Sequence, residues 1–208
     1  MERGRLEAFS DGVFAVAVTL LALNLAVAGP GHGSLGGQLT SRWPEFTAYV
    51  ISFFTIGIIW VNHHALFRLI PSVDRVLLFL NLLLLFVVVV IPFATSTLAS
   101  YLRHGGADAR LAAALYASVF EAMSLVFCAL FWWPIHRGLL SVPLTRAQAR
   151  AAMVRFGLGN AAYIAAIGVA FVSPGASLAI TAAVAVYYIF ERTPASARDD
   201  SSADELVA

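Results

Sequence analysis

Residues 77–92 carry one polar side chain, Asn81, and the apolar run continues to about Tyr101. A helix rises about 1.5 Å per residue, so a stretch of roughly twenty such residues crosses a hydrocarbon core of about 30 Å. The rest of the chain is built the same way. Of its 208 residues 60% are hydrophobic and 12% charged, with a mean hydropathy of +0.83, whereas about a quarter of a soluble domain is charged. The expected fold class is all-α, a polytopic membrane protein with six transmembrane helices, and there is no room for a soluble catalytic domain or an enzymatic role. All thirteen basic residues are arginine and twelve acids balance them to a formal +1. That leaves no general positive field for nucleic acid. Cys128 is the single cysteine and has no intrachain disulfide partner.

Breaker residues and charges divide the chain into spans at about 6–28, 43–68, 74–101, 110–133, 151–172 and 176–190. The first ends at Gly29-Pro30-Gly31. Arg3 and Arg5 ahead of an apolar stretch that finishes Ala26-Val27-Ala28-Gly29 resemble a secretory signal, but the run is too long, and Ser10 and Asp11 sit where an unbroken apolar core belongs. Pro44 favours a first helical turn and Trp43 an interface. Pro92 is expected to kink the third span. Residues 193–208 are small, polar and acidic, the composition of a disordered cytoplasmic tail. On alternate sides of six spans the arginines divide unevenly. Arg3, Arg5, Arg68, Arg75, Arg137, Arg146, Arg150, Arg155, Arg192 and Arg198 fall on one side, against Arg42, Arg103 and Arg110 on the other. This asymmetry places both termini in the cytoplasm.

Polar groups inside a bilayer are costly and each asks for a partner, a cavity or a function. Ser10, Asp11, Thr19, His63, His64, Asn81, Glu121 and Asn160 are the candidates. Asp11 reads either as a structural acid near the cytoplasmic interface or as a proton or cation site. At about 100° per residue, Gly12, Thr19, Leu20 and Leu23 fall within about 60° of Val16, while Asp11 lies about 140° away. The polar face of the first helix is thus expected to fasten it to its own bundle and the apolar stripe to meet lipid or another subunit. Adjacent histidines on a helix point about 100° apart and cannot share one metal, so His63-His64 is not read as a metal site. A histidine facing Asp11 across the first two spans is expected instead. Glu121 stands alone and reads as an acid held by a neighbouring helix's hydroxyl or amide, or as a proton relay. Thr55-Ile56-Gly57 is no potassium filter, since no tyrosine–glycine follows and it lies mid-helix. No hydrolase or phosphate-loop motif is present, and no cofactor is implied.

The segment Arg5-Leu-Glu-Ala-Phe9-Ser10-Asp11-Gly12, followed by Thr19-Leu20-Leu21-Ala-Leu23, resembles the arginine–x–x–x–phenylalanine–serine–aspartate signature of the transmembrane protein 175 family of potassium channels. Trp60-Val-Asn62-His63-His64-Ala-Leu66-Phe67 is similar to the family's second-helix motif. The resemblance implies a potassium-permeable cation channel without a carbonyl filter, its pore formed by the first helix of each subunit. A one-unit chain is then prokaryotic, lies as a multi-pass protein in the plasma membrane, and assembles as a homotetramer within the lipid bilayer, with potassium ions as its permeating partner. Carried onto this sequence, the constriction falls on Val16, Thr19 or Leu20, and Leu23. Arg5, Phe9, Ser10, Asp11, Trp60, Asn62, His63 and His64 match the network that holds the pore helix. Two departures are a small Val16 in the constriction and Asn24 with Ala26 where many relatives carry charge. The competing readings are a proton- or cation-coupled secondary transporter and a membrane scaffold without transport.

Overall fold

The computed structural model describes residues 3–23 and 25–190. Asn24 and the acidic tail lie outside the described residues. Seven helices follow in order: α1 Arg3–Ala22, α2 Leu35–Ser41, α3 Trp43–Arg68, α4 Arg75–Leu102, α5 Gly106–Arg137, α6 Arg146–Ala170 and α7 Pro174–Phe190. The described residues are all-helical. By length and composition α3, α4, α5 and α6 can each cross a membrane. The other two candidate spans are α1, which carries Arg3, Arg5, Glu7 and Asp11, and α7, with 17 residues.

Where a capping residue was visible the expected boundaries hold. Pro44 opens α3, and the carboxylate of Asp74 accepts the Leu77 amide at 2.7 Å to start α4. Elsewhere the boundaries need correction. The first helix stops at Ala22 rather than Ala28, because its last bonds tighten to three-residue spacing and the following segment is hydrogen-bonded from elsewhere. There the Gln38 side chain accepts from Gly29 N at 3.1 Å and donates to Gly29 O at 2.9 Å, and the Arg42 guanidinium donates to Ala26 O. The short α2, capped by Ser34, was not foreseen. The fourth apolar span was expected to end at Trp133, before Pro134. Instead α5 runs on to Arg137 and ends at Gly138, whose φ of 64° is left-handed. A reciprocal Thr145–Gln148 capping box starts α6 at Arg146 rather than Ala151.

The core centres on the α4–α5 pair. The α6 helix packs on α5 and α7, the α7 helix returns to α3 and α5, and α1 leans on α3 and α4 at the edge of the bundle. Inside, Ser52 Oγ lies 2.8 Å from Thr95 Oγ1 and 2.9 Å from Tyr116 Oη, while Thr95 also donates to Ile91 O. Three helices are thereby joined by hydroxyls that satisfy one another, as an apolar interior requires. At the other end of the helices, the indole of Trp133 donates to Asp74 at 2.9 Å, closing the start of α4 onto the end of α5.

Candidate functional site: the outward face of α1 and its polar fastening

One side of α1 is committed to its own bundle. Leu6, Ser10, Phe14, Ala17 and Leu21, spaced three or four apart, are all buried against α3 and α4. The opposite side has no partner among the described residues. Phe9 is 55% exposed, Val16 54%, Leu20 38% and Leu23 75%, and Gly12 and Thr19 are exposed among them. The apolar stripe expected from helical spacing is therefore an outward face of this chain. Thr19 donates its hydroxyl proton to Val16 O at 2.8 Å. Its oxygen lone pairs remain available to an outside ligand.

A buried polar chain holds α1 from behind. Ser10 donates to Leu6 O at 2.9 Å and accepts from Asn81 Nδ2 at 3.0 Å, and Asn81 Oδ1 lies 2.6 Å from His63 Nε2. Since the Asn81 nitrogen donates to Ser10, its oxygen accepts, which places the His63 proton on Nε2. The His63 ring also packs on Phe14 and Phe67, with centroids 5.5 and 4.4 Å away. All three polar side chains are buried, at 0% exposure for Ser10 and Asn81 and 1% for His63. Asn81 is thus the hub that joins α1, α3 and α4. Its isolation inside residues 77–92 was the signal, but its partners were not visible.

The expected Asp11–histidine pair is corrected. Asp11 accepts from the Trp60 indole at 2.8 Å, and His64 stacks on Trp60 rather than reaching the acid. The α3 rotation that turns His63 toward Asn81 brings Trp60, three residues earlier, over Asp11. Phe9 belongs to the outward face. Arg5 is exposed, and the ion pair near it is formed by Arg3, whose guanidinium lies 3.3 Å from Glu7 and also donates to Arg68 O. Asn62 does not join α1: it donates to Ile58 O at 2.8 Å and lines a cavity between α3, α5, α6 and α7. Among the described residues no three of His, Cys, Asp or Glu gather as a metal site.

A helix locked on one face and apolar and unpartnered on the other suits a pore-lining element, and comparison with known proteins bears on that. The family model described as the endosomal/lysosomal potassium channel TMEM175 matches residues 5–92, which include most of α1, all of α3 and most of α4. A potassium channel of Streptomyces collinus is 48% identical over 200 residues, covering 95% of this chain and 97% of that protein. The chain belongs to the TMEM175 family. A potassium channel of Chamaesiphon minutus is 38% identical over 193 residues, covering 90% of this chain and 93% of that one. The crystal structure of a lysosomal potassium-selective channel TMEM175 homolog from the same organism superposes with a TM-score of 0.79 at 36% identity, over 90% of this chain and 96% of that one. Both signature segments, on α1 and α3, fall within the TMEM175 match, and in the structure they are joined by the Trp60–Asp11 hydrogen bond and, through Asn81, by Ser10 and His63.

Proposed function

We propose that this TMEM175-family chain is one subunit of a potassium-permeable channel, with four copies placing the outward face of α1 around a shared pore. The observation that carries the reading is the division of α1: its inner face is fastened through Ser10, Asn81 and His63, while Val16, Thr19, Leu20 and Leu23 present an apolar stripe with nothing against it among the described residues. In this reading α1 and α7 cross the membrane with α3 to α6, giving six spans with both termini on the arginine-rich cytoplasmic side of the plasma membrane. A ring of Val16, Leu20 and Leu23 resists conduction by dewetting, because a cation there loses hydration without replacement ligands. The Thr19 oxygens, whose protons are given to Val16 carbonyls, offer four lone-pair ligands between the apolar layers. They favour the more easily dehydrated potassium over sodium modestly.

The test is single-channel recording of purified protein in planar bilayers. Discrete potassium currents are expected, with Leu23→Ser raising open probability and Thr19→Val lowering potassium conductance or selectivity. Val186→Ser, on an exposed position of α7, serves as control. Slow saturable flux without unitary events would make the chain a carrier, and currents indifferent to both Leu23 and Thr19 would move the pore away from α1.

A further inference from the structure

A cavity of about 30 Å³ lies where α3, α5, α6 and α7 converge, with Ile58, Met123, Phe127 and Phe156 among its apolar walls. Two of its lining side chains, Ser124 and Tyr163, are 8% and 3% exposed, and neither hydroxyl forms a hydrogen bond with a described residue. Ring contacts show how they come together. The rings of Phe127 and Phe156 lie 5.7 Å apart and those of Phe120 and Tyr163 6.1 Å apart, so α5 and α6 run antiparallel with Tyr163 beside Phe120. Helical side chains lean toward the N-terminus of their own helix. In α6 that direction leads from the level of Phe120 to Ser124, one turn further along α5. From α3 come two acceptors. Thr55 donates its proton to Ile51 O at 2.7 Å and Asn62 its amide to Ile58 O at 2.8 Å, which leaves the Thr55 lone pairs and the Asn62 carbonyl to the cavity they line.

The walls restrict what such a space can take. No charged side chain lines it. Glu121 and Asn160, the polar residues singled out on α5 and α6, are not among its walls, and each buries one acceptor oxygen with no hydrogen-bond donor among the described residues. A charged head group would be uncompensated inside the cavity, and a plain hydrocarbon would leave two buried hydroxyls unpaired. The lining residues that are not buried are Ile58, Ile59, Asn62 and Tyr188, so the cavity opens through the seam between α3 and α7. Beside that opening the surface is apolar: Phe54 and Val61 share a helical face with Ile58, Ile189 shares one with Ala185, and all three are exposed. The interior has room for one or two water-sized groups.

We propose that this cavity is a binding site for a neutral amphiphile with a hydroxyl head, the chemistry of a long-chain primary alcohol or an acylglycerol, entered from the bilayer between α3 and α7. A few converging polar groups in an otherwise apolar recess are what orients such a ligand. Its hydroxyl oxygen can accept from Ser124 and Tyr163, and its proton has the Asn62 carbonyl or the Thr55 oxygen as acceptor. The hydrocarbon tail leaves through the seam and lies along Phe54, Val61 and Ile189. The site is remote from α1 and independent of where ions cross.

The test uses the purified full chain in lipid nanodiscs and a diazirine-bearing octanol as photoreactive probe, with adducts mapped by mass spectrometry. Saturable labelling is expected on Met123, Ser124, Phe127 or Tyr163. Excess 1-octanol should compete it away, whereas octane, with no hydroxyl, and octanoate, with a charge, should not. Ser124→Leu fills the cavity and should abolish the adducts. Tyr163→Phe keeps the ring and removes one donor, and should raise the half-saturating probe concentration about threefold to tenfold. Absence of saturable adducts on these residues overturns the proposal and leaves the cavity to water alone. Competition by octane equal to that by octanol overturns the hydroxyl head, and competition by octanoate overturns the neutral one. The wild-type competition decides these points even if a variant fails to fold.

Discussion

Replacing Asn81 by leucine keeps the branched outline of the side chain, at larger volume, and removes the hub behind α1. Two hydrogen bonds disappear, the one to His63 at 2.6 Å and the one to Ser10 at 3.0 Å. Side-chain bonds of this kind inside membrane proteins are worth about 0.6 kcal/mol on average and about 1.7 at most, so the pair is worth about 1 to 3 kcal/mol. The change also strands the His63 N–H in a site with 1% exposure, which adds about 1 to 3 kcal/mol. Asn81→Leu is therefore expected to cost about 2 to 6 kcal/mol. Ser10→Ala removes the local bond to Leu6 O and the bond from Asn81, and leaves the Asn81 amide short of an acceptor, costing about 1 to 3 kcal/mol. Once Asn81 is gone Ser10 has no partner across the interface, so the double variant should cost less than the sum by about 0.6 to 1.7 kcal/mol. Reversible unfolding in mixed micelles measures all three values, and hydrogen exchange of α1 amides should rise in step. Costs that add to within about 0.3 kcal/mol would show that Ser10 and Asn81 act independently, and the fastening described above would be refuted.

Three further outcomes follow from the same geometry. Trp60→Phe keeps the ring against His64 but removes the donor to Asp11, whereas Asp11→Asn keeps an acceptor oxygen. Trp60→Phe should therefore lower the melting temperature more than Asp11→Asn does. Burial pushes the Asp74 carboxyl up, but the Leu77 amide, the Trp133 indole and the Arg137 charge outweigh it and hold it below the usual carboxylate range. A lowered value means that Asp74 stabilises the fold above about pH 4 and that this contribution is lost as pH falls through the lowered value. The stability gap between wild type and Asp74→Asn should accordingly narrow on acidification. At Gly159 an added Cβ would run into the ring and hydroxyl of Tyr188, which is held by its bond to Arg155 O at 3.0 Å. Gly159→Ala should cost about 1 to 3 kcal/mol, and Tyr188→Phe in the same chain should restore part of it, as read by thermal unfolding.

Elements bounded by local chemistry were legible before any coordinates. Pro44 and Asp74 set the starts of α3 and α4 to within a residue, and helical spacing alone separated Asp11 from the Val16–Leu23 stripe. What was missed depends on contacts between distant residues. The early end of α1 follows from hydrogen bonds supplied by Gln38 and Arg42, which no local pattern reports. The fourth span was read as ending at about Trp133, yet the helix runs on to the left-handed cap at Gly138. Trp60 rather than a histidine meets Asp11 because the pairing depends on how α3 is rotated against α1. That angle is fixed by Asn81 on a third helix, so two sequence segments could not reveal it.

The exposed Phe9, Val16, Leu20 and Leu23 on α1 have a thermodynamic consequence peculiar to their solvent. In water such a stripe would drive subunits together through the apolar area it removes from contact with water. In a bilayer the lipid tails cover it equally well, so association through this face has no hydrophobic driving force and rests on how closely the backbones can approach and how well the side chains interlock. Exposed Gly12 permits that close approach on the same face. For the proposed tetramer, assembly should then be an equilibrium set by the protein-to-lipid ratio and by acyl-chain packing. Substitutions that alter the shape of the face while preserving its apolarity would shift that equilibrium more than their hydropathy suggests.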